Sequence, residues 1–308
     1  MSLFTRARAS ASRRAAISVA GALFLGCGLA STPTRADDSQ TSQATDTKDG
    51  YFADWFRRVD AIQAAQPHWM TPLVTVTPRL EEEFRFDTNW SQLPSNGARL
   101  TNIGGGKGLE LIPWDRVELL FNLPPYEQRS WNGANSTPVA GFGDWPVVMA
   151  KYRLASANEQ NGNYIVTAFL GVSAPTGVDA FTAHRPTVTP TIAAGKGWGD
   201  FDIQTTLGET VPFATVEHSI TQAVAWNTAF QYHVNEYFWP EFEVNELYWP
   251  NGIRGGERQT LLTPGIIFGR FPIAGRTKAI VGVGYQVAVT PAVPTVRNNL
   301  VVTSRLAF

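Results

Sequence analysis

NNLVVTSRLAF, residues Asn298 to Phe308, separates into two faces when read with the two-residue period of an extended strand. Leu300, Val302, Ser304, Leu306 and Phe308 fall on one side, while Asn299, Val301, Thr303, Arg305 and Ala307 fall on the other. One side is apolar and the other carries a cation. In a soluble domain a strand that stops on a bulky aromatic would fray, because terminal residues have little to pack against. In a closed sheet the last strand pairs with the first and no edge remains. The stretch therefore predicts an all-β chain whose final strand seals an antiparallel barrel. The competing reading is an amphipathic edge strand of an ordinary sheet.

The first residues bear on that choice. Arg6, Arg8, Arg13 and Arg14 precede an apolar, small-residue run from Ala15 to Ala30, and Thr34-Arg35-Ala36 offers a processing site before Asp37. Residues 1–36 thus read as a secretory signal peptide. Ser12-Arg13-Arg14 hints at a twin-arginine signal, but that route exports folded proteins and a barrel must cross unfolded. Phe24-Leu25-Gly26-Cys27 is a poor lipoprotein box, since Phe24 stands where a leucine is wanted. No other run reaches the roughly 18 apolar residues that a spanning helix needs, so the mature chain, if it lies in a membrane, lies there as strands.

Composition fits. Cys27 is the single cysteine, so processing after Ala36 leaves no disulfide framework and no thiolate metal site. Removing the five arginines of residues 1–36 from 25 basic residues leaves 20 against 26 acidic ones, a net charge of -6 and no footprint for nucleic acid. The remaining 272 residues, rich in Gly, Pro and aromatics, suit one large β domain. A slightly negative mean hydropathy is what a barrel gives, because lumen and loops dilute its lipid-facing band.

Three regions follow: the signal peptide, a linker with a short helix over 37–70, and a transmembrane β-barrel over 71–308. Asp37 to Gly50 is polar and free of aromatics, as flexible linkers are. Phe52, Trp55, Phe56, Val59 and Ile62 then recur at spacings of three and four, predicting an amphipathic helix that ends before Pro67. Trp55, Phe56 and Val59 would make it either a gating element in the lumen or a helix packed at the periplasmic mouth, and the mouth is preferred.

From Thr71 the period becomes two. Twelve strands are predicted, at about 78 to 90, 98 to 112, 115 to 124, 143 to 155, 162 to 174, 186 to 194, 200 to 211, 219 to 233, 237 to 248, 258 to 270, 277 to 290 and 298 to 308. Glu82 is the exception on the apolar face of the first, and Pro190 breaks the sixth. That sixth strand is kept because both termini of a bacterial barrel lie on the periplasmic side, which requires an even count. Gly195 to Gly199, Pro113-Trp114-Asp115 and Gly275-Arg276 read as short turns; Pro124 to Gly141 and Ala174 to Pro186 read as long outer loops. Trp90, Trp114, Trp145, Trp198, Trp239 and Trp249 fall near strand ends, where indoles favour the lipid–water interface.

Two resemblances add to this reading. Leu306 and Phe308 resemble the closing-strand signal by which outer-membrane barrels are recognised by their assembly machinery. Four stretches resemble the MetA-pathway phenol degradation family of outer-membrane transporters. They are Gln66-Pro67-His68-Trp69, Thr77 to Arg85 (TPRLEEEFR), Gly195 to Asp202 (GKGWGDFD), and Thr263-Pro264-Gly265 with Gly284-Tyr285-Gln286. The resemblance runs from about Trp55 to Phe308. It implies barrel architecture and a role in moving aromatic or other small hydrophobic compounds, with no catalytic motif to carry over.

If the apolar faces meet lipid, the opposite faces direct Glu81, Glu83, Arg85, Asp87, Glu110, Arg116, Glu118, Lys151, Arg153, Asp202, Glu241, Glu243, Lys278 and Arg305 into the lumen. They could form a transverse field that orients solutes, or ion pairs such as Glu118 with Lys151 or Arg153 that fill and stiffen the barrel. Twelve strands lie between the filled eight-stranded and the open sixteen-stranded barrels, so partial filling and a narrow or gated path are expected.

An enzyme is disfavoured. His218 and Ser219 are adjacent and would point to opposite faces of a strand, and Asp179 with His184 sits in a long loop. Gly104-Gly105-Gly106 reads as a bulge rather than a phosphate cradle. No metal or cofactor is expected.

The expected protein is a channel of the Gram-negative outer membrane for passive passage of small, hydrophobic or aromatic molecules. Its partners would be membrane lipid, lipopolysaccharide, the assembly machinery and the solute. The alternative is a structural or binding barrel with a closed, ion-paired interior.

Overall fold

The computed structural model describes residues 51–52, 54–94, 97–105, 108–131, 137–213, 222–290 and 295–308. The expected signal peptide and linker (1–50), Gly106 and the His218-Ser219 pair lie outside the described residues. One α-helix, α1 (Trp55–Ala64), precedes fifteen strand segments. These are β1 (Glu83–Gln92), β2 (Arg99–Ile103), β3 (Leu109–Trp114), β4 (Val117–Phe121), β5 (Tyr126–Ser130), β6 (Val139–Phe142), β7 (Trp145–Ala157) and β8 (Tyr164–Ala174). Then come β9 (Thr187–Trp198), β10 (Phe201–Pro212), β11 (Ala223–Tyr232), β12 (Phe238–Tyr248), β13 (Arg258–Ala274), β14 (Thr277–Ala288) and β15 (Asn298–Ala307).

The segments make twelve crossings. β1 pairs with β2 through its upper half and with β3 through its first residues, so β2 and β3 are one interrupted strand. Gly104 turns the chain there at φ +71, and a Cβ would stand 3.1 Å from the Phe86 ring. β3–β4 and β2–β5 pairing makes a second interrupted strand across Pro124-Pro125, which lack amide hydrogens, and β4–β7 with β5–β6 makes a third. Pro124 to Gly141, expected as a loop, therefore contains two strands. Tyr126 to Ser130 alternates no apolar residues, which hides a strand lying beyond the hydrophobic band.

β15 closes the barrel. It lies antiparallel to β1 in register from Glu83↔Ala307 to Gln92↔Asn298 and pairs with β14 on its other side. Its faces follow the sequence pattern: Leu300, Val302, Ser304 and Leu306 are exposed, and Asn299, Val301, Thr303 and Arg305 are buried. The sixth strand persists through Pro190 as β9 and runs on to Trp198, so only Gly199-Asp200 turns.

Outward residues form an apolar belt that includes Phe121, Leu170, Ile192, Leu207, Val281 and Val283, all exposed. Trp114, Tyr164, Trp198 and Tyr232 flank it at the end of the short turns, and Trp90, Trp145 and Tyr248 flank it at the other end. A closed sheet that is greasy outside and polar inside is the fold of an outer-membrane β-barrel. Two expected interface tryptophans do not join these girdles. Trp239 and Trp249 are buried, Trp239 against Met70, Ile267 and Ile280 inside the wall.

The first strand begins later than its alternation suggests. Residues 79–83 are buried on both alternate faces, so none of them looks at lipid, and pairing starts at Glu83. Glu82 is no exception on a lipid face. Its carboxylate accepts bonds from Trp55 Nε1 (2.8 Å) and the Ile112 N–H (3.1 Å) at the mouth. Residues 71–82, expected as barrel wall, lie inside the barrel.

Candidate functional site

The helix α1 packs across the end with the short turns. Val59 and Ile62 are buried with Leu80 and Ile112, Trp55 is partly buried beside them, and Phe56 stays exposed under the Arg276 guanidinium. Arg276 also pairs with Asp60 (2.6 Å).

What enters the lumen is the segment after the helix. Pro67, Pro72 and Pro78 deny residues 66–82 a continuous ladder, so the segment runs in and returns as a re-entrant loop. Gln66 clasps its neck: its side chain donates to the Leu80 carbonyl (2.7 Å) and accepts from the Leu80 N–H (3.0 Å). At its tip the Glu243 carboxylate accepts the N–H groups of Val74 and Thr75 (both 2.7 Å), and Glu241 accepts that of Leu73 (3.0 Å).

Cations of the wall hold the carbonyls. Arg305 donates to Thr71 and Pro72, Arg85 to Pro72 and Leu73, Arg270 to His68 and Trp69, and Lys151 to Arg79. Thr167 donates to Pro78 (2.6 Å), and Gln204 bridges Met70 and Thr77 (2.8 Å each). The wall thus grips the loop's backbone as it would a peptide ligand, satisfying polar groups whose burial would otherwise be costly.

Shape completes the fit. The Trp69 ring lies over Gly195 and Gly197, and Leu73 lies over Gly265, Gly282 and Gly284. A Cβ at Gly282 or Gly284 would stand 2.6 Å from a Leu73 methyl. The stretches that carry the family resemblance therefore meet at one place: Gln66 to Trp69 and Thr77 to Arg85 supply the loop and its neck, and the glycine motifs supply its seat.

Twelve of the fourteen expected lumen residues are buried inside the barrel. Lys151 pairs with Glu118 (2.8 Å) and lies 3.7 Å from Glu110; Arg85 pairs with Asp87 (2.9 Å) and Arg79 with Glu81 (2.9 Å). Arg153 donates to the Ile62 carbonyl (2.9 Å) below the loop, and Asp202 takes a bond from Gln204 (3.0 Å). Arg116 and Lys278 are exposed instead. Arg116 belongs to the β3–β4 turn. Lys278 has inward parity but stands at the rim, where solvent reaches it.

The sequence pattern did not mark Leu73, Thr75, Gln204 or Arg270 as site residues, and Gln66 and Trp69 stood out only within the resemblance. The available signal was glycine recurring at inward positions of β9, β13 and β14, which leaves room for something to lie against the wall.

Beyond the loop tip the character of the lumen changes. Asn299, Gln286, Asn245 and Asn227 form a chain of side-chain amide hydrogen bonds of 2.8 to 3.1 Å, each donating to the next. A cavity of about 340 Å³ lies there, floored by Leu73, Val74 and Val76 and walled by Arg85, Asp87, Asn89, Asn102 and Gln286. At the opposite end Glu159, in the β7–β8 turn, accepts the His68 N–H (2.6 Å) and meets His68 Nδ1 (3.0 Å). Partial burial acts to raise the Glu159 carboxyl, but the two His68 contacts outweigh it and hold the group below its ordinary range. Asp179 and His184 are both exposed in their loop.

No family model matches the chain, and no curated protein matches it. Among solved structures it is similar to an outer-membrane channel from Pseudomonas putida F1 at 16% identity and a TM-score of 0.47, covering 73% of this chain and 94% of that one. It is similar to the NanC porin at 10% identity and a TM-score of 0.44, covering 72% and 98%. The KdgM porin aligns at 10% identity and a TM-score of 0.38, covering 73% and 99%.

Proposed function

We propose that this barrel is a gated channel of the Gram-negative outer membrane for passive passage of small molecules, with residues 66–82 as its gate. The observation that carries the reading is the floor of the vestibule. Leu73, Val74 and Val76 of an inserted loop make it, held by hydrogen bonds from the wall and not by strand pairing. A barrel filled only for rigidity would close with its own wall side chains and need no chamber over a separate segment.

The solute class follows from the chamber's chemistry. An apolar floor beneath walls of amides and the paired Arg85 and Asp87 suits a small ring compound with a hydroxyl or similar polar group, the class that resemblance to the phenol degradation family also implies.

Single-channel recording of the refolded protein in a planar bilayer tests this. The wild type should show rare, small openings. Glu243→Ala, which frees the N–H groups of Val74 and Thr75, should open more often and faster to phenol than to a sugar of similar size. Silence from both folded proteins would leave the closed structural barrel as the answer.

A further inference from the structure

At the short-turn rim, on the lipid-facing side of the wall, a cavity of about 420 Å³ lies between α1 and the β3–β4 turn. Tyr51, Arg58, Trp114, Asp115, Arg116 and Tyr152 line it. Arg58 packs into the corner between two edge-to-face rings, its guanidinium carbon 4.5 Å from the Tyr51 centroid and 5.1 Å from that of Trp55. Tyr51 is itself pinned by its hydroxyl, which donates to the Pro113 carbonyl (2.7 Å).

Rings packed against a guanidinium fix its orientation and leave its remaining N–H edge to meet an acceptor. The Nε and Nη2 nitrogens of Arg58 are shielded from water and have no hydrogen-bond partner. Donors in that state are costly, and an anion that draws the guanidinium toward the cavity would satisfy them. Among the described residues no ion pair joins Arg58 or Arg116 to a carboxylate.

The rest of the cavity carries complementary groups. Asp115 adds one anion beside the two cations. Trp114 and Tyr152 are 58% and 48% exposed on the outward face, at the level where indole and phenol rings meet the lipid interface. Above them the wall continues with Leu119 and exposed Phe121.

We infer that this cavity binds the headgroup of a periplasmic-leaflet phospholipid bearing a primary ammonium. The phosphate sits on the edges of Arg58 and Arg116, and the ammonium sits between the Asp115 carboxylate and the Trp114 ring. The acyl chains run up the wall over Val117, Leu119 and Phe121. The site also ties α1 to the membrane, because Arg58 is part of that helix.

Native mass spectrometry of the protein purified from outer membranes tests it, with phosphatidylethanolamine, phosphatidylglycerol and inorganic phosphate as probes. Folding is checked by the heat-dependent gel shift. The wild type should retain phosphatidylethanolamine in preference to phosphatidylglycerol. Arg116→Gln, in an exposed turn, should weaken retention about fivefold, and Arg58→Gln/Arg116→Gln further, since each cation near a lipid surface contributes about that factor. Asp115→Asn should remove the preference between the two lipids while leaving both bound. Equal retention by the wild type and the folded double variant would overturn the site. Displacement of the lipid by inorganic phosphate alone would overturn its assignment to a lipid headgroup.

Discussion

Leu73 and the glycines beneath it show how one contact decides the state of the lumen. Gly282 and Gly284 face inward on β14, and the missing Cβ atoms are where the Leu73 methyls rest. Gly284→Ala should lift the loop tip, costing about 1–3 kcal/mol of overpacking and raising the frequency of channel openings. Leu73→Ala in the same chain should accommodate the added methyl, so the two changes should be strongly non-additive in conductance and in the temperature of the heat-dependent gel shift. Simple additivity would show that the glycines serve the wall and not the loop. The same logic explains why Gly195 and Gly197 read in the sequence as turn residues. Their role is to admit the Trp69 ring, and a close approach looks like a turn until the approaching group is known.

The closing strand and the neck of the loop meet at one end of the barrel. β15 pairs with β1 through its last residues, and the Phe308 N–H donates to the Glu82 carbonyl (3.0 Å), tying the seam to the point where the loop becomes wall. Deleting Phe308 should impair assembly into the outer membrane more than Ala307→Gly does, measured as the folded fraction recovered from membranes. Equal recovery would remove Phe308 from the assembly signal.

The neck is also latched by Glu159 to His68. Because the folded carboxyl is held below its ordinary value, the latch is complete above the ordinary glutamate range. It is lost as pH falls through the lowered folded value. Channel openings should therefore rise in acid, and Glu159→Gln should show that raised frequency already at neutral pH. A wild-type profile that is flat in acid would show the neck held by other bonds.

Across the barrel, charge is segregated along the axis. The half nearest the short turns buries nine carboxylates, from Glu81 to Glu243, against Arg79, Arg85, Lys151, Arg153 and Arg305, whereas the half beyond the loop tip is lined mainly by amides and hydroxyls. An excess of acid along a narrow path favours cations and disfavours anions. Reversal potentials of the Glu243→Ala channel in a potassium chloride gradient should show cation preference. Anion preference would mean that the arginines, freed when the loop leaves, dominate the open path.

The alternation of NNLVVTSRLAF and its kin determined the closed sheet, twelve crossings and which charges face inward, because side-chain direction in a strand depends only on position along the chain. Periodicity in the same way predicted the helix that carries Trp55, Phe56 and Val59. The loop was not legible. Arg79, Glu81 and Glu83 alternate as a strand does, and only the burial of Leu80 and Glu82 between them shows that no lipid face exists there. Nor could the pattern separate Trp239, turned inward onto Met70, from the tryptophans of the girdles, or place Arg116 and Lys278 at the rim. Local sequence sets the direction of a side chain, but what occupies the space it points into is decided by residues some two hundred positions away. That is why the gate, its glycine seat and the lipid-facing cavity emerged only when the sheet closed around them.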